Sequence, residues 1–279
     1  MRLVALTSSR RARPSIAAMA LLAAMAHTAS HAVAEEADAI STDRPDFVES
    51  SDVVGNGVFQ VETSLSQEHD RSNVAMSRTR STPTLLRYGV TEDIELRIES
   101  DGLMRQVVSE GGKTVTQRGT ADTSLGAKWH IRSAEEASNQ PGLAILADVE
   151  LDSGSRAFRA AGKVPSLRLV AEWDLPGDAS LGVMPGFFYG KDEASGNRYW
   201  GGILAATYSR RLFDSVHGFV EIAGQQLRST RFGGSVVTFD TGVMYAINSE
   251  TQLDFSINLG LNRHSPDRTL AIGLSRRFR

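Results

Sequence analysis

The sequence predicts an all-β protein: a transmembrane antiparallel β-barrel of about twelve strands (range 10–14). Three observations carry this. First, six aromatic residues, Tyr88, Trp129, Trp173, Tyr208, Tyr245 and Phe278, recur at gaps of 33 to 44 residues. Such a gap is the length of one β-hairpin with its connections. Each aromatic belongs to the apolar set of an alternating run, such as Leu125, Ala127, Trp129 or Leu169, Ala171, Trp173. An outward aromatic at one end of every second strand suits a membrane interface, because the rings of Tyr and Trp are apolar in body and polar at the tip. Second, the links between runs alternate between long and short, as in outer-membrane barrels. Third, beyond the first 34 residues no apolar stretch approaches the roughly 20 residues of a membrane helix. The mean hydropathy of −0.20 is compatible with a barrel, since lipid-facing and lumen-facing residues average out along each strand.

The chain begins with a targeting segment, residues 1–34. Arg2, Arg10, Arg11 and Arg13 form a basic start, and Ile16 to Ala26 is an apolar run too short to span a bilayer. Ala32-Val33-Ala34 reads as a cleavage site, with Glu35 as the first mature residue. Removing the four leader arginines leaves 26 basic against 33 acidic residues, a net charge of −7. An acidic mature chain argues against nucleic-acid binding, which needs clustered Lys and Arg. There is no cysteine, which removes disulfides, thiolate metal sites and cysteine nucleophiles together.

Residues 35–56 are a polar lead-in containing Asp43-Arg44-Pro45-Asp46, and the barrel covers 57–279. Its strands are expected near 58–67, 78–88, 94–100, 120–131, 142–151, 165–175, 180–189, 199–212, 217–226, 236–247, 251–260 and 269–278. Tight links follow the second, sixth, eighth and tenth strands, at Val90–Asp93, Pro176–Ala179, Phe213–Val216 and Asn248–Glu250. The stretch 101–119 is expected to be the longest loop, and Arg132–Gln140 is a long link on the short side. With short turns in the periplasm, the aromatic series becomes the periplasmic girdle and both termini are periplasmic.

The alternating residues place charge on the inner face. The sixth strand turns Leu167, Leu169, Ala171 and Trp173 outward and Arg168, Glu172 and Asp174 inward. The third sets Ile94, Leu96 and Ile98 against Glu95, Arg97 and Glu99, and the eleventh sets Leu253, Phe255 and Ile257 against Asp254, Ser256 and Asn258. A soluble sandwich also alternates. The charge on nearly every inner face and the repeated end aromatic favour the membrane barrel.

Several segments are similar to the outer-membrane transporter-like family named for the meta-pathway of phenol degradation. They are Ser41-Thr42-Asp43-Arg44-Pro45-Asp46-Phe47-Val48-Glu49-Ser50, Leu85 through Arg97, Asp122-Thr123-Ser124-Leu125-Gly126-Ala127-Lys128, Leu151-Asp152-Ser153-Gly154-Ser155, and Phe278. The resemblance covers nearly all of the mature chain. It implies an outer-membrane barrel suspected of admitting small, often aromatic molecules, inserted by the barrel-assembly machinery. Such barrels commonly end on the aromatic itself, whereas Arg279 follows Phe278 here.

The expected lumen lining is Arg87, Glu95, Arg97, Glu99, Asp122, Lys128, Asp148, Glu150, Arg168, Glu172, Glu221, Asp240 and Asp254, with Glu62 and Arg277 beside them. Charged rings could select solutes. The plainer reading is a set of cross-strand pairs that hold, and partly block, a narrow barrel. Asp43, Arg44, Pro45 and Asp46 are candidates for a plug, with Arg44 bridging lumen carboxylates; the alternative is a free lead-in with a local Asp turn. No cofactor and no metal site is expected, because no His pair has ligand spacing. The functional expectation is passive passage of a small solute, with outer-membrane lipid as the surrounding partner. A structural or binding barrel is the alternative. A lipid hydrolase is a further one, using His69 or His264 near Ser66, Ser72 or Ser265, although no G-x-S-x-G elbow is present. The sequence carries no signal for an oligomeric state.

Overall fold

A computed structural model describes residues 40–279 except 72–74; the predicted leader and cleavage site lie outside the described residues. Fifteen strands form one antiparallel sheet among the described residues. They are β1 (Phe59–Arg71), β2 (Ala75–Ser81), β3 (Thr84–Gly89), β4 (Ile94–Ser100), β5 (Leu103–Glu110), β6 (Lys113–Thr120), β7 (Thr123–Arg132) and β8 (Gly142–Leu151). They continue as β9 (Val164–Leu175), β10 (Ala179–Lys191), β11 (Arg198–Phe213), β12 (Val216–Leu227), β13 (Val236–Asn248), β14 (Thr251–Gly260) and β15 (Arg268–Phe278). The sheet closes on itself: β15 pairs with β1 from Phe59↔Phe278 to His69↔Arg268. Closure leaves no edge along the spanning wall, which a strand-built membrane protein requires because lipid offers the backbone no hydrogen bonds. Among the described residues only β6, paired with β5 alone, keeps a free edge.

Fifteen strands make twelve crossings. β1 pairs with β3 along its first half and with β2 along its second, so β2 and β3 are one bent crossing. The same holds for β4 with β5, and for β6 with β7. The bends fall at Thr82-Pro83, Asp101-Gly102 and Ala121-Asp122. The ladder continues through them: Ser64 N–H donates to the Pro83 carbonyl at 2.9 Å, Thr82 N–H to Asp101 at 3.0 Å and Ala121 N–H to Gly102 at 2.9 Å. The twelve-stranded barrel is thus borne out.

One stretch differs from expectation. Residues 101–119, anticipated as a loop, form most of the hairpin β5–β6, whose pairing runs from Leu103↔Thr120 to Glu110↔Lys113. Its turn is Gly111-Gly112, with φ of 55° and 78°. Two positive φ values in a two-residue turn match the twist of the flanking strands, and glycine adopts them without steric cost. Together β2, β5 and β6 extend the wall beyond the membrane as a flap.

On the outer face, Tyr88, Trp129, Tyr208, Tyr245 and Phe278 are exposed and Trp173 partly so. The register sets Phe59 against both Tyr88 and Phe278, Leu181 against both Trp173 and Tyr208, and Val216 against Tyr245. All six therefore stand near the short-turn end. A second aromatic cluster, absent from the sequence reading, caps the other end: the Trp200 ring lies 4.8 Å from Tyr189 and 5.5 Å from Phe187. Tyr208 and Trp200 are eight residues apart on β11, about 27 Å of strand and roughly 21 Å along the axis at a tilt near 40°. That spacing is close to the apolar band of an outer-membrane barrel, about 25 Å.

The inner face is charged on nearly every strand, as expected: besides β1, β3, β4, β7 and β9, Asp148 stands on β8, Glu221 on β12, Asp240 on β13 and Asp254 on β14. From β8 to β12 the wall turns Ala144, Leu146, Val170, Met184, Ala205 and Ala223 inward, all buried, with Phe188, Tyr199 and Ile203 toward the long-loop end. Small and apolar inward residues break the alternation that hydropathy would show, so β10 and β11 present apolar side chains on both faces.

Leu204 stands midway between Tyr208 and Trp200 on the outer face and is half exposed. Leu204→Arg is expected to destabilise the folded barrel by about 2–4 kcal/mol, the cost of a cationic side chain at the membrane midplane. Reversible unfolding in lipid vesicles measures it; an unchanged midpoint would place Leu204 away from lipid.

Candidate functional site: a lumen filled by the N-terminal segment

Residues 40–58 contain no helix or strand and run through the lumen. An irregular chain there needs partners for its backbone groups, and the wall supplies them. Wall carboxylates accept from the segment's N–H groups. Glu62 takes Asp43 N at 3.0 Å, Glu221 takes Phe47 and Val48 N at 2.9 and 2.8 Å, Glu172 takes Ser51 N at 3.0 Å, and Glu95 takes Val54 N at 3.0 Å. Cationic and amide side chains donate to its carbonyls. Arg87 reaches Ser41 and Asp52 at 3.1 and 3.0 Å, Lys128 reaches Ser50 at 2.9 Å, and Gln60 reaches Ser41 at 2.8 Å.

Ion pairs reinforce these contacts. Asp43 lies 2.5 Å from Arg97, 2.7 Å from Lys128 and 3.4 Å from Arg87. Glu49 bridges Arg97 at 2.7 Å and Arg168 at 2.6 Å, and Arg168 also holds Asp148 at 2.7 Å. Arg87 meets Glu62 and Glu95 within the wall at 3.0 and 2.9 Å. Asp43, Glu62, Arg87, Glu95, Arg97 and Lys128 are all buried. Burial alone would raise the Asp43 carboxyl, but Arg87, Lys128 and Arg97 outweigh it and hold it well below the usual carboxylate range. The segment also has an apolar anchor. Val48 packs into the cluster of Ala144, Leu146, Val170, Met184, Ala205 and Ala223. Gly182 makes room for it: a Cβ there would come within 2.9 Å of Val48 Cγ1.

The remaining candidates fall in several places. Asp240 stands beside Glu221 in register and accepts from Thr238 at 3.0 Å; Asp254 is buried on the inner face. Asp122 accepts from Gly154 and Ala160 N–H at 2.7 and 2.6 Å, so it anchors the loop 152–163. Arg277 bonds Glu250 at 2.9 Å at the short-turn rim. Glu99 and Glu150 are exposed in a cavity of about 770 Å³ on the long-loop side of the segment. That cavity has Asp101, Asp122 and Asp148 on its acidic side and Phe47, Phe188, Tyr199, Ile203 and Phe232 on the other, with the Tyr199 and Phe232 rings stacked at 4.5 Å.

Two expectations are corrected. Arg44 forms no ion pair among the described residues; it donates to Ser64 Oγ at 2.8 Å, and Asp43 takes the bridging position. The hydrolase pairing is not assembled either. Ser66 and His69 are three residues apart on β1 and so face opposite sides, and Ser72 lies outside the described residues. Ser265 Oγ bonds the Val237 backbone and Asn262 rather than His264. Sequence reasoning passed over Glu49, Val48 and Gln60. Glu49 carried no distinct signal, since the expected lining already held more acids than bases.

A closed twelve-stranded barrel with aromatic belts and a polar-lined lumen defines an outer-membrane β-barrel. The chain belongs to the family described as putative MetA-pathway of phenol degradation, whose model matches residues 42–278. No curated protein matches it by sequence. Among solved structures it is similar to an outer membrane channel from Pseudomonas putida F1, with a TM-score of 0.60 and 13% identity over 85% of this chain and 100% of that one. It is also similar to the β domain of the Bordetella autotransporter BrkA, with a TM-score of 0.51 and 13% identity over 79% of this chain and 99% of that one. At these identities the likeness is one of fold.

Asp43→Asn removes the carboxylate shared by Arg97, Lys128 and Arg87. Breaking such a buried pair is expected to weaken docking of the segment by about 3–5 kcal/mol. Hydrogen exchange reads this directly: the amides of residues 43–51 should lose protection while the strands keep theirs. Undiminished protection would show that the ion pairs do not hold the segment.

Proposed function

We propose that the protein is an outer-membrane channel for small solutes with an apolar or aromatic part, closed at rest by residues 40–58. One observation carries this reading: the wall leaves space that only the segment fills. A barrel built solely for structure can close its interior with its own side chains. Here β10 to β12 present the small residues Gly182, Ala205 and Ala223, and Val48 of the segment packs against them. The cavity beyond the segment, lined by aromatic and acidic residues together with Arg159, Arg168, Lys191 and Arg228, supports a solute with an aromatic body and a polar group. The solved barrel from Pseudomonas putida F1 is described as a channel, which agrees with this role. The short turns and both termini are assigned to the periplasm, so the segment enters from that side and the cavity faces outward.

The decisive comparison is between the full chain and a variant lacking residues 40–52, both reconstituted in planar bilayers. The full chain is expected to be nearly silent and the deletion variant to conduct steadily. A folded deletion variant without conductance would end the channel reading. Equal conductance in both would show that the segment does not close the lumen.

Closure should also depend on pH through Asp46, which belongs to the segment rather than to a spanning strand. Burial in the lumen pushes Asp46 up to about 7 from an ordinary value of 3.8. A carboxyl raised on docking favours the docked state at low pH, and that advantage is lost as pH rises from about 4 to about 7. Asp43 shifts the other way, so its contribution is already complete across that window. Conductance of the full chain is therefore expected to increase between about pH 4 and pH 7, and Asp46→Asn to flatten the profile. A profile unchanged in the variant would assign the pH response to another group.

A further inference from the structure

The flap carries an arrangement that the lumen does not use. On its outer face the register aligns Gln67 with Arg80, Arg80 with Arg105, and Arg105 with Arg118. Three arginines thus stand side by side across β2, β5 and β6, all exposed. One step further along, Arg78 and Arg268 flank His69 on the same face. Among the described residues none of these five arginines has a carboxylate partner; Arg80 donates only to Gln67, at 2.9 Å. Like charges directly opposite one another destabilise a sheet, so the row lacks the counter-charge that would stabilise it.

Its position is specific. Gln67 lies eight residues beyond Phe59 on β1, which puts the row roughly 21 Å along the axis from the short-turn aromatics. This is the level of Trp200, at the outer limit of the apolar band. Just below the row a cavity of about 870 Å³ opens on the lipid side, lined by Leu65, Leu103, Phe255, Leu270 and Ile272, with Arg80, Arg105 and Arg118 at its rim. Leu65 and Leu103 are about two-thirds exposed. Apolar lining below and guanidinium groups above match a molecule with acyl chains and a phosphorylated headgroup. Guanidinium groups pair with phosphate in bidentate fashion.

We propose that this face is a binding site for a phosphorylated lipid of the outer leaflet, of the lipid A class. The phosphates lie along Arg80, Arg105 and Arg118, and an acyl chain lies over Leu65, Leu103 and Ile272. Arg78 and Arg268 widen the cationic field. The proposal rests on the periplasmic assignment of the short turns but not on the lumen conducting.

Native mass spectrometry of the full chain in mild detergent tests it, using bis-phosphorylated lipid A as the probe. Lipid A is expected to be retained, and its phosphate-free form to bind roughly ten-fold more weakly or worse. The triple variant R80Q/R105Q/R118Q should lose about the same factor. R105Q alone, at the centre of the row, serves if the triple variant does not show the heat-modifiable migration of a folded barrel. Equal retention by variant and native chain would overturn the proposal. So would binding of inorganic phosphate that competes out the lipid at similar concentration, since the site would then be one for free phosphate. Orientation is checked separately with Gly111→Cys, labelled by an impermeant maleimide on intact cells. Labelling supports the proposal. Its absence, with labelling after the outer membrane is opened, would overturn it by placing the arginines at the inner leaflet while leaving the channel reading intact.

Discussion

The structure depends on one constraint: a stretch of irregular backbone lies inside a closed barrel. Each N–H and C=O taken from water there needs another partner, or it costs free energy comparable to a lost hydrogen bond. The wall meets this need with side chains, because its own backbone is committed to the ladder. Glu62, Glu95, Glu172 and Glu221 accept from amides, while Arg87, Lys128 and Gln60 donate to carbonyls. Those same charges then need balance in a poorly solvated interior, and Asp43 and Glu49 supply it for Arg97, Lys128 and Arg168. The lumen charges therefore serve mainly the segment, and only secondarily pair across strands.

The outside answers to lipid and the inside to the segment, and the two sets of demands meet along each strand. Alternation satisfies both on β4 and β9, with aliphatic residues out and charged residues in. On β10 to β12 the inner demand is for space and for apolar contact with Val48, so small and aliphatic residues appear there. Charged side chains, Glu221 of β12 among them, grip the segment's backbone, and an apolar patch on β8 to β12 receives one side chain. Neither set of contacts alone would fix the segment's position: hydrogen bonds to charged groups orient the main chain, and the Val48 contact sets its depth.

Much of the fold was legible because lipid imposes a rule on every outward residue. Alternation and the end aromatics marked ten of the strands to within a few residues, β4 and β7 through β15. The flap escaped that rule. β5 and β6 stand above the membrane, and β6 is exposed along nearly its whole length, so no apolar face announced them. Gly111-Gly112 between Val108 and Val115 was the available sign. The candidate site was legible as a set of charges but not as an arrangement. Charged inward positions can pair with each other or with something placed between them, and period-two patterning is the same in both cases. Asp43 and Lys128 are 85 residues apart in sequence, and only tertiary structure brings them to contact.

The nature of the contacts also bears on how firmly the segment closes the lumen. Polar groups held by polar walls exchange their partners for water when water enters, so each hydrogen bond contributes far less on balance than its strength in isolation. The apolar contribution comes from Val48, part of Phe47, and the buried Ile40 and Pro45. Docking then rests mainly on the buried ion pairs of Asp43 and Glu49, with the hydrogen bonds and apolar contacts adding smaller terms. In the open state proposed for the channel the segment has left, and the lumen itself is changed. Asp43 and Glu49 leave with it, so Arg97, Lys128 and Arg168 face the open lumen with fewer anions beside them, and the aqueous path becomes more cationic than the closed interior. A segment that supplies the counter-charge of the wall therefore does two jobs at once: it occupies the pore, and it masks the charge the pore presents when empty.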